Sequence, residues 1–347
     1  MKHFFILNDT RTNLHHGCEV VMNNLYSLIQ KNHPDAKFSQ LCTGQTISEE
    51  KWLELLKDID IVLINGEGTL HDAAPFGEFL LKLGSIAKQQ GIPVFLLNST
   101  WENNPTSWNE LIQDFDGLYV RDKKSLATLQ PQHPHCEYAA DLTFYSSHKF
   151  NPAHTTESAT TRPAQVIVND SVYSHVSDAL FSYAEKQRFD YHPITKNLPL
   201  DAHTIGYNPK KMKKLKQYNL LSKLTFGLYK PRRYYQDFNY CIDDTQAFKQ
   251  KMLASDLVIT GRYHCLCFCL QMQIPVLIVA SNTSKTHNLL SDAQVTDRHI
   301  RLEDLKQLSL EQLYAKAKFS DEEKLKLQSF DQQTKLKHEQ IFSQICA

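Results

Sequence analysis

Charge of either sign is not in excess in this sequence. Its 347 residues carry 38 lysines and arginines against 38 aspartates and glutamates, so the formal net charge is zero when histidine is neutral. A protein that binds nucleic acid through bulk charge has a strongly basic balance. We therefore expect no nucleic-acid partner.

Long hydrophobic runs and disulfide spacing are also absent. No stretch reaches about 18 uncharged apolar residues, the length of a membrane-spanning helix, and the apolar run at 4–7 is too short for a signal peptide. The eight cysteines show no paired spacing, and three of them alternate within an apolar segment, at positions 265, 267 and 269. Such thiols are typical of small core residues in a reducing compartment. These features predict a cytoplasmic protein.

The order of apolar and helical segments predicts an α/β protein of two domains. Short apolar runs alternate with helical patterns, as in βαβ units around a parallel sheet, and the length suits two domains of roughly 150 residues. Predicted strands lie at 4–7, 59–64, 93–97, 117–120, 164–168, 257–260 and 275–279. We expect two Rossmann-like domains facing across a cleft, at 1–150 and 164–300, with a Ser/Thr/Pro-rich linker at 151–163 and a helical tail at 301–347.

The most informative motif is Gly261-Arg262-Tyr263-His264, which follows an apolar strand and opens an apolar helix. Backbone N–H groups at a helix start lack partners within the helix and can bind an anion. Arg262 adds a cation with a planar fork, and His264 adds a side chain of a type that titrates near neutral pH. The alternative is that Arg262 pairs with a local carboxylate and that His264 is a core histidine.

A second strand, at 275–279, leads through Ser281 and Asn282 to Lys285 at the next predicted helix start. A lysine in that position opposes the helix dipole, so a bound anion would explain it. An ordinary exposed lysine is the alternative.

In the first half, the loop Asn65-Gly66-Glu67-Gly68-Thr69-Leu70-His71 directly follows a strand. Gly66 and Gly68 allow close approach of the backbone to a ligand, and Glu67 is suited to act as a base or to bind a hydroxyl group. The loop is not a G-x-G-x-x-G motif, so it gives weak support to dinucleotide binding. A polar turn without a ligand is the alternative.

The loop after the first strand runs from Asn8 to Glu19 and is expected to point into the cleft. It contains adjacent histidines, but adjacent residues seldom chelate one ion and no matching Cys/His set is evident, so we expect no metal. Asp9, His16 or Glu19 is suited to bind a hydroxyl group or to accept its proton. Two basic stretches, at 210–216 and 230–235, are interpreted as solvated helix faces. Contact with anionic lipid or with a diphosphate-linked acceptor is the alternative.

Together these segments resemble the polysaccharide pyruvyl transferase family. The resemblance is carried by the loop at 65–71, by Tyr119-Val-Arg121-Asp122, by Ala139-Ala-Asp141-Leu-Thr-Phe144, by Gly261-Arg262-Tyr263-His264 and by Lys285. These motifs span most of the chain in the family's order. The resemblance implies a GT-B-type fold, phosphoenolpyruvate as co-substrate without a further cofactor, and a sugar hydroxyl pair of a surface polysaccharide that becomes a pyruvyl ketal.

The resemblance also implies roles for named residues. The first domain would take the acceptor, a polysaccharide or lipid-linked oligosaccharide at the inner membrane surface, and the second would bind the donor. His264 is the candidate general acid, and the base is one of Glu67, His16 and Glu19. Donor-binding candidates are Arg121, Gly261, Arg262, Ser281, Asn282 and Lys285. Acceptor-side candidates are Asp9, Asn65, Gly66, Gly68, Thr69 and His71.

One loop departs from the family's pattern. The family's first loop usually resembles Asn-x-Gly-Asp, whereas this chain has Asn13-Leu-His-His-Gly17-Cys-Glu19. This difference leaves room for an unusual acceptor or for another donor. The second interpretation is therefore a glycosyltransferase of the same fold that uses a nucleotide-activated sugar, since a basic pocket also suits a nucleotide phosphate. A non-catalytic binding module with this fold is the third.

Overall fold

The computed structural model describes residues 1–145, 164–196, 240–279 and 284–347, and parts of 217–228. The chain forms two compact units. The first contains Met1–Asn13, Cys18–Ser146 and Gln332–Ala347, and the second contains Leu14–Gly17 and Ser147–Asp331. The predicted linker at 151–163, the basic stretches at 210–216 and 230–235, and the candidates Ser281 and Asn282 lie outside the described residues.

The first unit is built on a parallel sheet of six strands in the order β2-β1-β3-β4-β5-β6. The strands are β1 (His3–Asp9), β2 (Lys37–Cys42), β3 (Ile61–Asn65), β4 (Val94–Ser99), β5 (Gly117–Val120) and β6 (Cys136–Tyr138). The helices between them are α1 (His16–Asn32), α2 (Glu49–Leu56), α3 (Pro75–Gln89), α4 (Trp108–Ile112) and α5 (Lys123–Leu129). The order reverses direction between β1 and β3, which is the switch point of this sheet.

In the described part of the second unit, four parallel strands have the order β10-β9-β7-β8. The strands are β7 (Val166–Ser171), β8 (Asp190–Tyr191), β9 (Leu257–Gly261) and β10 (Val276–Ile278). The helices are α6 (Ser174–Gln187), α7 (Thr245–Leu253), α8 (Tyr263–Met272), α9 (Lys285–Asp292), α10 (Leu302–Gln307) and α11 (Leu310–Ala317), followed by α12 (Asp321–Cys346). The switch point lies between β7 and β9. The predicted α/β architecture with two parallel sheets is confirmed.

Apolar side chains cover both faces of the first sheet. Phe5 and Leu7 of β1 belong to one buried cluster, while Phe4 and Ile6 belong to another. Successive side chains of a strand point to opposite faces, so this alternation places a core on each side, as parallel sheets require. The second cluster also contains Phe342 of α12. The end of α12 is therefore part of the first unit's core.

Helix α8 is buried along nearly its whole length in the second unit. Cys265, Cys267 and Cys269 are each at most 1% exposed. The prediction that these thiols are core residues is confirmed. A helix that is apolar on all sides is typical of a position inside a core, and α8 places the Gly261–His264 motif at its first turn.

Candidate functional site

The switch point of the second sheet brings polar residues of two strands together. Strand β7 ends in Asn169, Asp170 and Ser171, and β9 ends in Thr260 and Gly261. The hydroxyl of Thr260 donates to Oδ1 of Asn169 at 2.9 Å, and both residues are fully buried. Ligands bind outside the carboxyl ends of strands at such points. This edge is therefore the expected position of a ligand site.

Arg262 is held at this edge by Asp170. Its Nε donates to Oδ2 of Asp170 at 2.7 Å, and its Nη2 donates to the same oxygen. The backbone N–H of Ile194 donates to Oδ1 at 3.0 Å, which fixes the carboxylate. The side chain of Arg262 is 19% exposed and that of Asp170 is 5% exposed. Arg262 therefore does pair with a carboxylate, which was the alternative interpretation of this motif. Part of its side chain nevertheless remains exposed to solvent.

Gly261 is needed for this packing. A Cβ at position 261 would lie 2.5 Å from Cβ of Ser171 in the adjacent strand. Arg262 then occupies the N-cap position of α8 with extended backbone angles, and its side chain makes no capping hydrogen bond. The positive end of the α8 dipole therefore lies at the backbone of Arg262.

The segment Leu14–Gly17 lies on the second unit and brings His15 to His264. The backbone N–H of His16 donates to the carbonyl of Ile194 at 3.1 Å, and that of Lys196 donates to the carbonyl of Leu14 at 2.7 Å. The rings of His15 and His264 meet edge to face, with centroids 5.3 Å apart. His264 is 7% exposed.

The charge around His15 is positive. Burial lowers the pKa of His15 well below its usual value, and the nearby His264, Arg262 and Lys285 act in the same direction. His15 is therefore neutral near pH 7, and its Nδ1 accepts a hydrogen bond from the backbone N–H of Gly17 at 3.1 Å. Lys285 begins α9, and its Nζ lies 5.8 Å from the ring centroid of Tyr263. We call the five residues His15, Asp170, Arg262, His264 and Lys285 the Arg262 cluster.

His16 has a different environment from His15. Its ring stacks on Phe248 of α7 with centroids 4.2 Å apart, and its Nδ1 lies 2.9 Å from the hydroxyl of Thr245. The residue is fully buried, and burial lowers its pKa to about 3. His16 therefore anchors the Leu14–Gly17 segment on α7, and His15 is the histidine that meets His264.

The switch point of the first sheet carries Glu67. Its Oε2 accepts from the hydroxyl of Thr10 at 2.8 Å, and its Oε1 accepts from Sγ of Cys18 at 2.9 Å. The amide of Asn8 donates to the carbonyl of Asn65 at 2.7 Å. Burial and the neighbouring Glu67 raise the pKa of the Cys18 thiol, so Cys18 remains a hydrogen-bond donor. We call Asn8, Thr10, Cys18, Asn65 and Glu67 the Glu67 cluster.

The other acceptor-side candidates surround this loop of the first unit. Asp9 is buried, and its two carboxylate oxygens accept hydrogen bonds from Arg11 and Tyr26. Gly66 packs so closely that a Cβ would lie 2.3 Å from Cβ of Ser99, and Gly68 has a positive φ of 71°. The hydroxyl of the buried Thr69 donates to the Gly66 carbonyl at 3.4 Å. Nδ1 of His71 lies 3.0 Å from the carboxylate of Asp72. The base candidate Glu19 is half-buried in the first turn of α1.

Arg121 lies in the first unit, where it is 3% exposed. Its Nε donates to the hydroxyl of Thr100 at 2.9 Å, and its Nη1 donates to Oδ2 of Asp141 at 2.9 Å. The Arg121–Asp141 pair is thus a buried ion pair. Both residues belong to motifs that carried the resemblance, so the shared pattern includes a structural contact as well as candidate ligands.

Three important residues were not identified from the sequence as site residues: His15, Cys18 and Asp170. A signal for Asp170 does exist, because Val168-Asn169-Asp170-Ser171 has the same pattern as Leu7-Asn8-Asp9-Thr10. In both cases an apolar first strand ends in Asn, Asp and a hydroxyl residue. Cys18 shows no signal of its own.

A known protein family shares the sequence that builds this geometry. A model of the polysaccharide pyruvyl transferase family matches residues 15–283, which is most of the chain and includes Arg262 and His264.

The chain belongs to the polysaccharide pyruvyl transferase family.

It is therefore a member of a family of transferases, as its motifs predicted. Lys285 lies just beyond the matched region. A search of curated proteins finds no match.

Several solved structures are similar to this chain at low sequence identity. A Listeria monocytogenes protein described as a UDP-N-acetylglucosamine 2-epimerase is 12% identical, with a TM-score of 0.51 over 94% of each chain. HepE of Anabaena, in complex with UDP and glucose, is 10% identical, with a TM-score of 0.47 over 99% of this chain and 98% of that one. The UDP-GlcNAc 2-epimerase of Methanocaldococcus jannaschii is 12% identical, with a TM-score of 0.49 over 96% and 99%. The likeness to the Listeria protein shows a GT-B-like fold and nothing about substrates.

None of the helices in the described part of the chain is long and apolar enough to cross a membrane.

Proposed function

We propose that this protein transfers a pyruvyl group from phosphoenolpyruvate to two hydroxyl groups of a sugar in a surface polysaccharide or its lipid-linked precursor. The observation that carries the proposal is the Arg262 cluster. It places a guanidinium, an ammonium group, two imidazoles and the start of α8 at one switch point. Family membership supports the same reaction.

Phosphoenolpyruvate carries two anionic groups, a phosphate and a carboxylate. A guanidinium binds either group through two parallel hydrogen bonds, and a lysine adds a point charge. Because Asp170 fixes Nε and Nη2 of Arg262, the guanidinium plane is set before the donor binds. Such preorganisation favours binding and electrostatic stabilisation of the transition state. We assign donor binding to Arg262 and Lys285.

The chemistry requires one acid and one base. The acid protonates the methylene carbon, and an acceptor oxygen bonds to the adjacent carbon as its proton passes to the base. The bond from that carbon to the phosphate oxygen then breaks, and phosphate leaves with the electron pair. The second hydroxyl oxygen bonds to the same carbon and loses its proton. One phosphoenolpyruvate and one sugar diol thus give one ketal and one phosphate.

We assign the acid to His264 and propose Glu67 as the base. His264 follows Arg262 by two residues on the first turn of α8 and lies against His15. Histidine is the side chain best suited to transfer a proton near neutral pH. Glu67 is a buried carboxylate whose two oxygens are oriented by Thr10 and Cys18. Glu19 is the remaining candidate for the base, because the burial that lowers the pKa of His16 to about 3 disfavours transfer of a proton to that residue.

The donor is tested by thermal unfolding with phosphoenolpyruvate, CMP, UDP and GDP. A ligand at one hundred times its Kd stabilises the folded protein by about 2.7 kcal/mol. We expect phosphoenolpyruvate to stabilise it. Arg262→Gln should weaken that binding at least about tenfold, because a bidentate charged contact is lost, whereas the exposed Arg301→Gln serves as the matched control and should bind normally.

Two results would contradict the proposal. Stabilisation by one nucleotide but not by phosphoenolpyruvate would favour a glycosyltransferase that uses a nucleotide sugar. Stabilisation by none of the four ligands would favour a non-catalytic module. The acid is tested separately with His264→Asn, which should bind phosphoenolpyruvate yet form no pyruvylated product from an oligosaccharide acceptor, measured by mass spectrometry. Retained transfer would exclude His264 as the acid.

A further inference from the structure

A second group of chemically competent side chains lies outside the Arg262 cluster, in the same unit. It consists of His287 on α9 and of Asp297 and His299 on the segment between α9 and α10. One ligand atom from each of the three residues lies within 4.8 Å of the others. The imidazole rings of His287 and His299 stack with centroids 3.6 Å apart, and Nδ1 of each faces Oδ1 of Asp297.

The geometry points to a site for a divalent transition metal of the zinc type, bound by His287, Asp297 and His299. Two imidazole nitrogens and one carboxylate oxygen form a donor set that Zn²⁺ prefers. Oδ1 of Asp297 lies 3.8 Å from Nδ1 of His287 and accepts a hydrogen bond from Nδ1 of His299. A metal ion bound by these three atoms would therefore replace the direct contact between Asp297 and His299.

The scaffold holds His299 in place from two sides. Ile278 of β10 pairs in parallel with His299, and the backbone N–H of Ile300 donates to the Ile278 carbonyl at 2.8 Å. Nε2 of His299 lies 3.0 Å from the hydroxyl of Thr286, which is 1% exposed. A metal-binding histidine usually donates its second ring N–H to a fixed acceptor, which leaves the other nitrogen for the metal. Thr286 is placed to be that acceptor.

The site borders a cavity. His287 and His299 line a cavity of about 690 Å³ together with His175, Arg301 and Lys316. Three protein ligands leave the fourth position of a tetrahedral ion to water or to another ligand, as in catalytic zinc sites. The open position would therefore be reachable for an oxygen ligand that enters the cavity. This inference does not depend on the identity of the donor bound at the Arg262 cluster.

The test is calorimetric titration of the chelator-treated protein with Zn²⁺. Wild type should bind one equivalent of Zn²⁺ at this site. Each of His287→Asn and His299→Asn loses one ligand, so these variants should bind that equivalent at least about 100-fold more weakly or not at all. Thr286→Val keeps all three ligands and should weaken binding about 10- to 100-fold through the lost second hydrogen bond. His135→Asn, an exposed histidine of the first unit, is the matched control and should bind as wild type does.

Bound Co²⁺ separates this site from a cysteine site. Its visible spectrum should show tetrahedral coordination without a thiolate charge-transfer band, and the spectrum should disappear in His299→Asn. His287 is 59% exposed, so His287→Asn is expected to keep the fold, which circular dichroism would verify. Equal stoichiometry and affinity in wild type and in the histidine variants, no binding by wild type, or a thiolate band would each overturn the inference.

Discussion

At the scale of residues, the first strands of the two units end in the same residue types, an asparagine followed by an aspartate. Asn8 donates to the carbonyl of Asn65 and Asn169 donates to that of His192, so each asparagine ties its strand end to a neighbouring segment. The following aspartate holds an arginine in each unit, Arg11 in the first and Arg262 in the second. The Asn-Asp pair thus has the same hydrogen-bonding role at the end of the first strand in both units.

Gly17→Ala tests the contact between the Leu14–Gly17 segment and the Arg262 cluster. A Cβ at position 17 would lie 2.2 Å from Cγ of His264, so the imidazole or the segment must move. Overpacking of this kind costs about 1 to 3 kcal/mol. We expect that loss in urea unfolding, together with at least about tenfold weaker binding of phosphoenolpyruvate, since a misplaced group is costly at a preorganised site.

Gly44→Ala provides the comparison. Gly44 has a φ of 76° in a turn of the first unit, and the space that a Cβ would occupy there is open. Alanine at that φ should cost about 1 kcal/mol of stability and leave ligand binding unchanged. Wild-type affinity in Gly17→Ala would mean that the position of His264 is not set by the segment.

The sequence predicts part of the Arg262 cluster and misses the rest for a physical reason. The strand before Gly261 and the helix after Arg262 are recognisable from local patterns, and β9 and α8 occur where they were expected. Asp170 is 92 residues away from Arg262. Only the parallel pairing of β7 with β9 makes the two neighbours, and no local pattern contains that information.

At the scale of elements, strand β2 was not predicted, although the edge strand β10 was. Strand β2 reads Lys37-Phe-Ser-Gln-Leu-Cys42 and is buried only at its last two residues. It pairs with β1 on one side, so most of its side chains meet water and the apolar run is missing. Helix α2 was also not predicted, although Ser48 caps it by accepting from the backbone N–H of Lys51.

Helix α12 has a polar sequence, and two of its residues contact the first unit. Nε2 of His338 donates to the carbonyl of Ala140 at 2.8 Å, and Lys337 pairs with Glu137. His338 is 4% exposed, and burial lowers its pKa to about 4. The end of α12 therefore attaches to the first unit through a neutral histidine.

This attachment predicts a dependence of stability on pH. The folded pKa of His338 lies below the unfolded value of about 6.5, so the unfolded chain binds more protons between these values. The contribution is fully present above about pH 6.5 and is lost as the pH falls toward the folded pKa of about 4. Between pH 7 and pH 5 the loss should be about 2 kcal/mol.

His338→Gln isolates this contribution, because glutamine keeps an N–H donor but does not titrate. Urea unfolding of both proteins at the two pH values gives the comparison. The other buried histidines act equally in both proteins, so the variant should lose about 2 kcal/mol less than wild type between pH 7 and pH 5. An identical loss in both proteins would show that His338 is not buried in its neutral form.

At the scale of the whole molecule, the two units repeat one architecture with different chemistry at their switch points. The first has a buried carboxylate held by a hydroxyl and a thiol, and the second has cations and imidazoles. A transferase needs a group that removes a proton from its acceptor and groups that stabilise an anionic donor. The Glu67 cluster of the first unit and the Arg262 cluster of the second are the groups that we propose for these two roles.

The thiols provide a test of the whole native structure. Seven of the eight cysteines are buried, and Cys241 is half-buried. The thiolate is the reactive form, and burial raises the pKa of Cys136 to about 12 and those of Cys42 and Cys346 to about 11. We expect the native protein to release one equivalent of thionitrobenzoate from Ellman's reagent rapidly, Cys241→Ser to release almost none, and both proteins to react fully in urea. Rapid reaction of several thiols in the native protein would contradict the burial of these cysteines, three of which lie in α8.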